Sequence, residues 1–497
     1  MRILYIDIDS LRPDHLGCYG YHRNTSPTID SVAKEAVRFN NYYTSDAPCL
    51  PSRTAFYSGR FGIHSGVVGH GDTAADIRQD GMGRGFRDSY ECNALPTQLQ
   101  NAGFWTAQIS PFGQRHAARQ FYCGFNEILN TGKGGMESAE EVTPVVDEWF
   151  DRNLDKDNWF LHLNYWDPHT PYRTPAEFEN PFKEDPIPDW LTEEVFQNQL
   201  KNKIGPHSPH EINMYNDVEK DLFPDYPGSL KSMEDVKKMI DGYDMGVKYV
   251  DDQLAGLFQR IKDAGIWEDT AIIISADHGE NMGELGIYGE HGTADQITTK
   301  VPLIVKWPGA EKGTVKEGLH YNLDLAPTLH DLLNLKSEKP EIWDGESFAS
   351  SICSPEDSSR DYLVVSQCAH VCQRSVRFKD FIYIRTYHDG FHLFPKEMLF
   401  NLKEDPYQQI DLANNKKEIC REALYYLNEW KDDIMETRQI DRDPLWTVMK
   451  EGGPFHAKGY LDFYSKQLTK TGRSWAIQKL REKHPREATN KQNVQTF

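Results

Sequence analysis

Short apolar runs rich in β-branched residues recur through roughly the first 340 residues of the chain, separated by stretches with helical spacing. The runs fall at 3–8, 105–109, 159–163, 271–275 and 301–305, and helical periodicity lies between them, as at 29–37 and 239–261. Strands alternating with helices build a largely parallel sheet covered by helices on its faces. In such a sheet the chemistry gathers at the carboxyl ends of the strands. The polar residues just after each run are therefore the first places to look for a site.

The chain has 497 residues, 38% hydrophobic and 12% aromatic, enough for a sizeable core and against a disordered chain. No apolar run approaches the ~20 residues of a membrane-spanning helix. The net charge of −21 argues against general nucleic-acid binding, which needs a basic footprint. The opening residues run straight into the first strand pattern, without a charged leader, long apolar segment or cleavage site. The expectation is a cytoplasmic protein, if Met1 is the native start, with its eight cysteines reduced. Cys368 and Cys372 form the one close pair and lack a second pair to complete a zinc set.

Residues 175–235 are rich in Pro, Asn, His and acidic groups and read as an irregular excursion over the site. After about 355 the pattern changes to short strands at 363–366, 375–378 and 381–384, then a helix at 417–438. We therefore expect a catalytic α/β domain over 1–355 and a smaller α+β subdomain with an antiparallel sheet over 356–497. The basic segment 466–491 has few apolar anchors and is expected to be loosely held.

The most specific motif is Cys49-Leu50-Pro51-Ser52-Arg53, followed by Ser58-Gly59-Arg60. It resembles the core signature of the formylglycine-dependent (type I) sulfatase family of the alkaline-phosphatase superfamily. The resemblance implies an alkaline-phosphatase-like large domain with a mostly parallel mixed sheet. It also implies that a maturase oxidises Cys49 to formylglycine, whose hydrate is the nucleophile. A geminal diol can attack with one hydroxyl and expel sulfate with the other, splitting a hard step in two. Arg53, one helical turn on, is placed to stabilise the developing charge, and the helix N-terminus adds a partial positive charge.

Asp9 follows the first strand, and Asp277-His278-Gly279 follows the run at 271–275. By resemblance these are the family's two metal-ligand segments, giving Asp9, Cys49, Asp277 and His278 as ligands. Many relatives carry two adjacent Asp in the first segment, where this chain has Ser10. Asp7, two residues back, is either a substitute ligand or a buried hydrogen-bonded carboxylate. Oxygen-rich ligation favours Ca2+, and the histidine leaves Mg2+, Mn2+ or Zn2+ open.

Trp166-Asp167-Pro168-His169-Thr170-Pro171-Tyr172 resembles the family's Asp-Pro-His-x-Pro-Tyr element, which makes His169 the candidate general acid. His291 falls where relatives often carry a sulfate-contacting Lys, and Lys300 is the candidate for that fixed charge. The family's Gly-Lys-Trp-His element is absent, and Arg115 and His116 are its nearest basic equivalents. Either His116 or His291 would deprotonate the spent diol. Arg12 and His70 are further candidates to face the sulfate. The resemblance spans most of the chain and implies a sulfuric ester hydrolase acting on a sulfated mono- or oligosaccharide. The alternatives are a phosphonate monoester or phosphodiester hydrolase of the same superfamily, and a sugar-binding relative in which Cys49 is never converted.

Overall fold

The computed structural model describes residues 1–81 and 88–489. Fifteen strands are present among them: β1 (Arg2–Ile8), β2 (Val37–Tyr43), β3 (Asp46–Ala47), β4 (Trp105–Ile109), β5 (Glu127–Leu129), β6 (Trp159–Tyr165), β7 (Thr270–Ser275), β8 (Asn281–Met282), β9 (Tyr288–Glu290), β10 (Lys300–Lys306), β11 (Thr314–Tyr321), β12 (Tyr362–Gln367), β13 (Cys372–Phe378), β14 (Phe381–His388) and β15 (Glu397–Asn401). All five apolar runs are strands of one eight-stranded sheet in the order β11-β2-β10-β7-β1-β6-β4-β5. The five strands from β7 to β5 in that order are parallel, whereas β10 runs antiparallel to both β7 and β2. Every residue of β1, β6 and β7 is buried, as strands covered by helices on both faces must be.

Helix periodicity at 239–261 grows into a 31-residue helix, Met233–Asp263, capped by Ser232 and Asp235. The shorter expectation at 29–37 is divided: Pro27–Ala33 is helical and Val37 already begins β2. Residues 33–37 could satisfy either period locally, and pairing of β2 with β10 and β11 decides for strand.

The second sheet, β15-β14-β13-β12-β3, is antiparallel except at its inner edge. There β3 lies parallel to β12, pairing Asp46 with Ser366 and Ala47 with Gln367. The second sheet thus grips the chain immediately before Cys49. The helix Lys417–Glu436 packs on it through Ala423, Leu427 and Trp430.

The expectation of a loose basic tail is corrected. Helices Leu461–Lys470 and Ile477–Lys483, with the turn Ser474–Ala476 between them, bury Tyr464, Leu468, Ala476 and Leu480 against Ile204, Tyr215 and Phe391. Arg473 pairs with Glu211 in the same place, both buried. The anchors are few but spaced about one helical turn apart, so they share one face. Residues 490 and 491 lie outside the described residues. No helix among the described residues is long and apolar enough to cross a membrane.

Candidate active site

The carboxyl ends of β1, β6, β4 and β7 meet at one point. Asp7 is the penultimate residue of β1 and Asp9 follows it; Asp277 and His278 follow β7, and His169 follows β6. From below, the helix Cys49–Ser58 enters with all ten residues buried. Gly59 ends this helix at φ +64, and a Cβ there would lie 2.7 Å from the Trp343 ring, so both conformation and space require glycine.

Arg53 is 2% exposed and makes three ion pairs: Nε to Asp7 Oδ2 at 2.7 Å, Nη2 to Asp9 Oδ2 at 2.9 Å and Nη1 to Asp277 Oδ2 at 2.8 Å. Its guanidinium lies over the Phe112 ring at 4.2 Å. One fixed cation therefore serves three buried carboxylates. Burial alone would raise Asp9, but Arg53, His169 and His278 together outweigh it and hold Asp9 well below the usual carboxylate range. Burial pushes Asp277 up to about 7 despite Arg53, with Asp9 adding to the rise.

His278 Nδ1 lies 2.9 Å from the Gly279 carbonyl. Its Nε2 faces Asp277 Oδ2 at 3.2 Å and Asp9 Oδ1 at 3.9 Å, with a hydrogen bond to neither. Burial opposes the charged ring, yet Asp277 and Asp9 lift it to about 10. A buried imidazole nitrogen left unbonded between two carboxylates is a donor set suited to a divalent cation. Asp9, Asp277 and His278 present ligand atoms within 4.8 Å of one another. The residues fit a metal, and the Nδ1 contact to backbone orients the ring for it.

Ser10, at the position where relatives often carry a second Asp, adopts φ +61. Its backbone N–H donates to Asp277 Oδ1 at 3.2 Å, and its hydroxyl donates to Asp9 Oδ1 at 3.0 Å. Tyr243 of the long helix donates to the Ser10 carbonyl at 2.8 Å. Ser10 thus orients the carboxylates around it. Asp7 resolves toward the structural alternative: besides Arg53 it meets His162 Nε2 at 3.3 Å, and His162 Nδ1 lies 2.6 Å from the Tyr57 hydroxyl.

Cys49 Sγ lies 3.4 Å from His70 Nε2, and the thiol falls within 4.8 Å of ligand atoms of His278 and His291. His291 stacks on His278 with ring centroids 4.0 Å apart. His169 is 5.2 Å from His291, ring to ring, and its Nε2 is 3.9 Å from Asp9 Oδ1. The His116 ring is 6.1 Å from that of His70. Arg115 lies over Trp166 at 5.1 Å, exposed at the rim. Burial strips these imidazoles of water and favours their neutral forms, moving His70 to about 3 and His169 to about 4. His116 and His291 also fall well below their ordinary value, chiefly through burial.

Two sequence candidates are not brought to this point. Arg12 is buried between Asp14 at 2.7 Å and Glu284 at 2.9 Å, and its Nη1 donates to the Glu280 carbonyl. Its donors are spent tying loops together. Lys300 opens β10 and lines a separate cavity of about 320 Å³ with Asp14, Asn41 and Tyr407. Because β10 runs antiparallel to β7, with Leu303 opposite Ser275, its start lies on the carboxyl-end side of the sheet, and it is the lining of this separate cavity that keeps Lys300 out of the site. Conversely, sequence reading missed His162, His207, Glu290, His370 and His456, and Arg173, which donates to the His169 and Thr170 carbonyls. A histidine inside the apolar strand Trp159–Tyr165 was the one local signal among them.

A large, mostly parallel sheet flanked by helices, with a separate antiparallel sheet beside it, is the fold of the alkaline-phosphatase-like superfamily. Within it, the sulfatase family profile matches residues 2–335, and this chain belongs to the sulfatase family; it is a sulfatase-type hydrolase. A choline-sulfatase of Rhizobium meliloti (strain 1021) is 24% identical over 431 residues, 79% of this chain and 78% of that one. A protein solved in complex with its substrate D-glucosamine-2-N,6-O-disulfate superposes at a TM-score of 0.69, with 17% identity, over 89% of this chain and 99% of that one. The phosphonate monoester hydrolase of Agrobacterium radiobacter gives 0.67 at 18% identity, over 89% and 96%.

Proposed function

We propose that this sulfatase removes sulfate from a sulfated carbohydrate, with Cys49 converted by a maturase to formylglycine as nucleophile and a divalent cation, Ca2+ first, held by Asp9, Asp277, His278 and the converted residue 49. The observation that carries the reading is the placement of Cys49 at the first turn of a buried helix, within reach of His70, His278 and His291 and above Arg53. When bound, the cation would polarise sulfate oxygens and favour the ionised nucleophile. Arg53 holds its three carboxylates at fixed positions and adds positive charge beneath the reacting group. His169 is neutral near pH 7 in the free site, so it acts as acid only after the negative charge of a bound sulfate ester raises its proton affinity. His291 and His116, neutral for the same reason, are competent bases for the second half of the reaction. Arg115 on Trp166 supplies a rim cation and an aromatic face, chemistry suited to a sugar. The substrate of the structural neighbour points the same way.

The experiment is the mass of the Cys49 peptide after co-expression with a formylglycine maturase, followed by sulfate release from a panel. The panel holds sulfated sugars, choline sulfate and a phosphonate monoester. Aldehyde at residue 49 with turnover of a sulfated sugar is expected. Preferential turnover of the phosphonate would establish the phosphoryl reading that the other neighbour represents, and choline sulfate turnover would replace the sugar. A converted protein that binds sulfated sugar without releasing sulfate would refute the catalytic proposal.

A further inference from the structure

Beyond the carboxylate-rich centre, a second group of donors stands at its edge, drawn from three distant parts of the chain. His207 comes from the excursion, Glu290 ends β9, and His370 lies between β12 and β13. They are 5%, 8% and 5% exposed, and one ligand atom from each falls within 4.8 Å of the others. His207 Nε2 is 3.0 Å from Glu290 Oε2, and His370 Nε2 is 3.6 Å from Glu290 Oε1. Both ring nitrogens of His207 lack a hydrogen-bond partner among the described residues. A buried imidazole with two unbonded nitrogens is costly. His207 also holds φ +61, a left-handed conformation uncommon outside glycine but one that His adopts more readily than most residues. The backbone is nonetheless pinned there, with its N–H on the Met214 carbonyl at 3.0 Å and its carbonyl on Tyr288 N–H at 2.9 Å.

Glu290 stands 3.0 Å from His207 Nε2 without the alignment of a hydrogen bond, and Nδ1 has no partner among the described residues. We propose that His207, Glu290 and His370 form a second divalent-metal site, suited to Zn2+ or a similar borderline cation and separate from the Asp9–Asp277–His278 set. Two imidazoles and one carboxylate with an open fourth position are a recurrent zinc set. The nitrogen-rich donors select against Ca2+ and Mg2+, which the oxygen-rich site prefers. The open position has somewhere to lead: His207 and Glu290 line a cavity of about 450 Å³ together with Thr170, Asn213 and Tyr226. Glu290 also touches His291 Nε2 at 3.1 Å, so this cation would border the sulfate pocket and offer a coordination site to water or to a substrate hydroxyl or carboxylate. His456, stacked on His370 at 4.2 Å and bonded to His70 Nδ1 at 3.1 Å, backs the ligand ring.

The test is zinc binding to Cys49→Ala/Asp277→Asn protein, in which the thiol and one carboxylate of the first metal set are removed and sulfate release plays no part. Equilibrium dialysis against Zn2+ with elemental analysis should give one zinc per chain, with a Kd tighter than about 10 μM. Co2+ in its place should give the visible absorption of a four-coordinate site. Adding His207→Asn, which tolerates the left-handed backbone, or His370→Asn should weaken binding by more than roughly 100-fold, beyond what loss of an outer-shell partner costs. Unchanged circular dichroism would exclude unfolding as the cause. Absence of zinc at that affinity, or binding indifferent to both substitutions, would overturn the proposal and leave the cluster as a polar rim. Neither result bears on whether the enzyme cleaves sulfate esters.

Discussion

Replacing Arg53 by Met tests the electrostatic centre most directly, because the side chain keeps an unbranched apolar stem out to about the Nε position but loses the guanidinium that pairs with the carboxylates and lies over Phe112. Three carboxylates, Asp7, Asp9 and Asp277, would lose a partner now 2.7–2.9 Å away in a site that is 2% exposed at Arg53. Removing one partner of a buried pair costs about 3–5 kcal/mol, because the remaining charge is stranded. The stranded carboxylates can escape by taking up protons, so the loss must depend on pH. In the native protein Arg53 depresses Asp9, whose contribution to stability is present above its unfolded value and lost only in strong acid. Without Arg53 the folded-state value rises, and the folded variant binds a proton that the unfolded chain does not. Stability of the variant relative to the parent therefore falls as pH rises, by about 1.4 kcal/mol per pH unit for each proton involved. Urea unfolding followed by tryptophan fluorescence at pH 5.5 and pH 8, with and without divalent metal, measures this. We expect a deficit of about 3–5 kcal/mol at pH 8, smaller in acid and partly restored by the metal. A deficit under about 1 kcal/mol, or one independent of pH, would refute the account of Arg53 as the neutralising cation.

Three other outcomes are expected. A Cβ on Gly279 would stand 2.1 Å from the Ile297 carbonyl oxygen, so Gly279→Ala should shift the Asp277–His278 loop, cost about 1–3 kcal/mol and weaken metal binding measured by calorimetry; unaltered affinity would contradict this. Burial raises Asp167 from 3.8 to about 6, so the folded state holds its proton more tightly and stability falls by up to about 3 kcal/mol as pH climbs from 4 to 6. Asp167→Asn, which still accepts from the Ala139 N–H, should flatten that part of the stability–pH curve, and an unchanged curve would count against it. Leu468→Ala, in the small core between tail and excursion, should cost about 2–5 kcal/mol and expose the C-terminal helices to limited proteolysis; full protease resistance would show that the tail is held by something else.

Much of the fold was legible because local period and sheet topology agree. Each apolar run became a strand, and a parallel sheet necessarily gathers the loops after its strands. Asp9, Asp277, His278 and His169 could therefore be grouped before any distance was known, and Cys49 with Arg53 needed only one turn of helix. What lay beyond that reach depended on direction and on distant partners. Arg12 and Lys300 sit in the right loops or strands but are engaged elsewhere, Arg12 by Asp14 and Glu284 and Lys300 in the separate cavity beside Asp14 and Tyr407. The tail's few anchors were visible, but their receptor at Ile204 and Tyr215 was not. The sequence by itself determined the alternating architecture and placed polar residues after the strands, since these rest on spacing within one or two elements, while the Cys49–Arg53 motif was legible through its family resemblance. Only the tertiary structure decided which buried cation neutralises three carboxylates, and which histidines meet. His70 and His456 touch across 386 residues, a closure that no local periodicity encodes and that depends on distant loops, His456 being held by its N–H on the Ala369 carbonyl between β12 and β13.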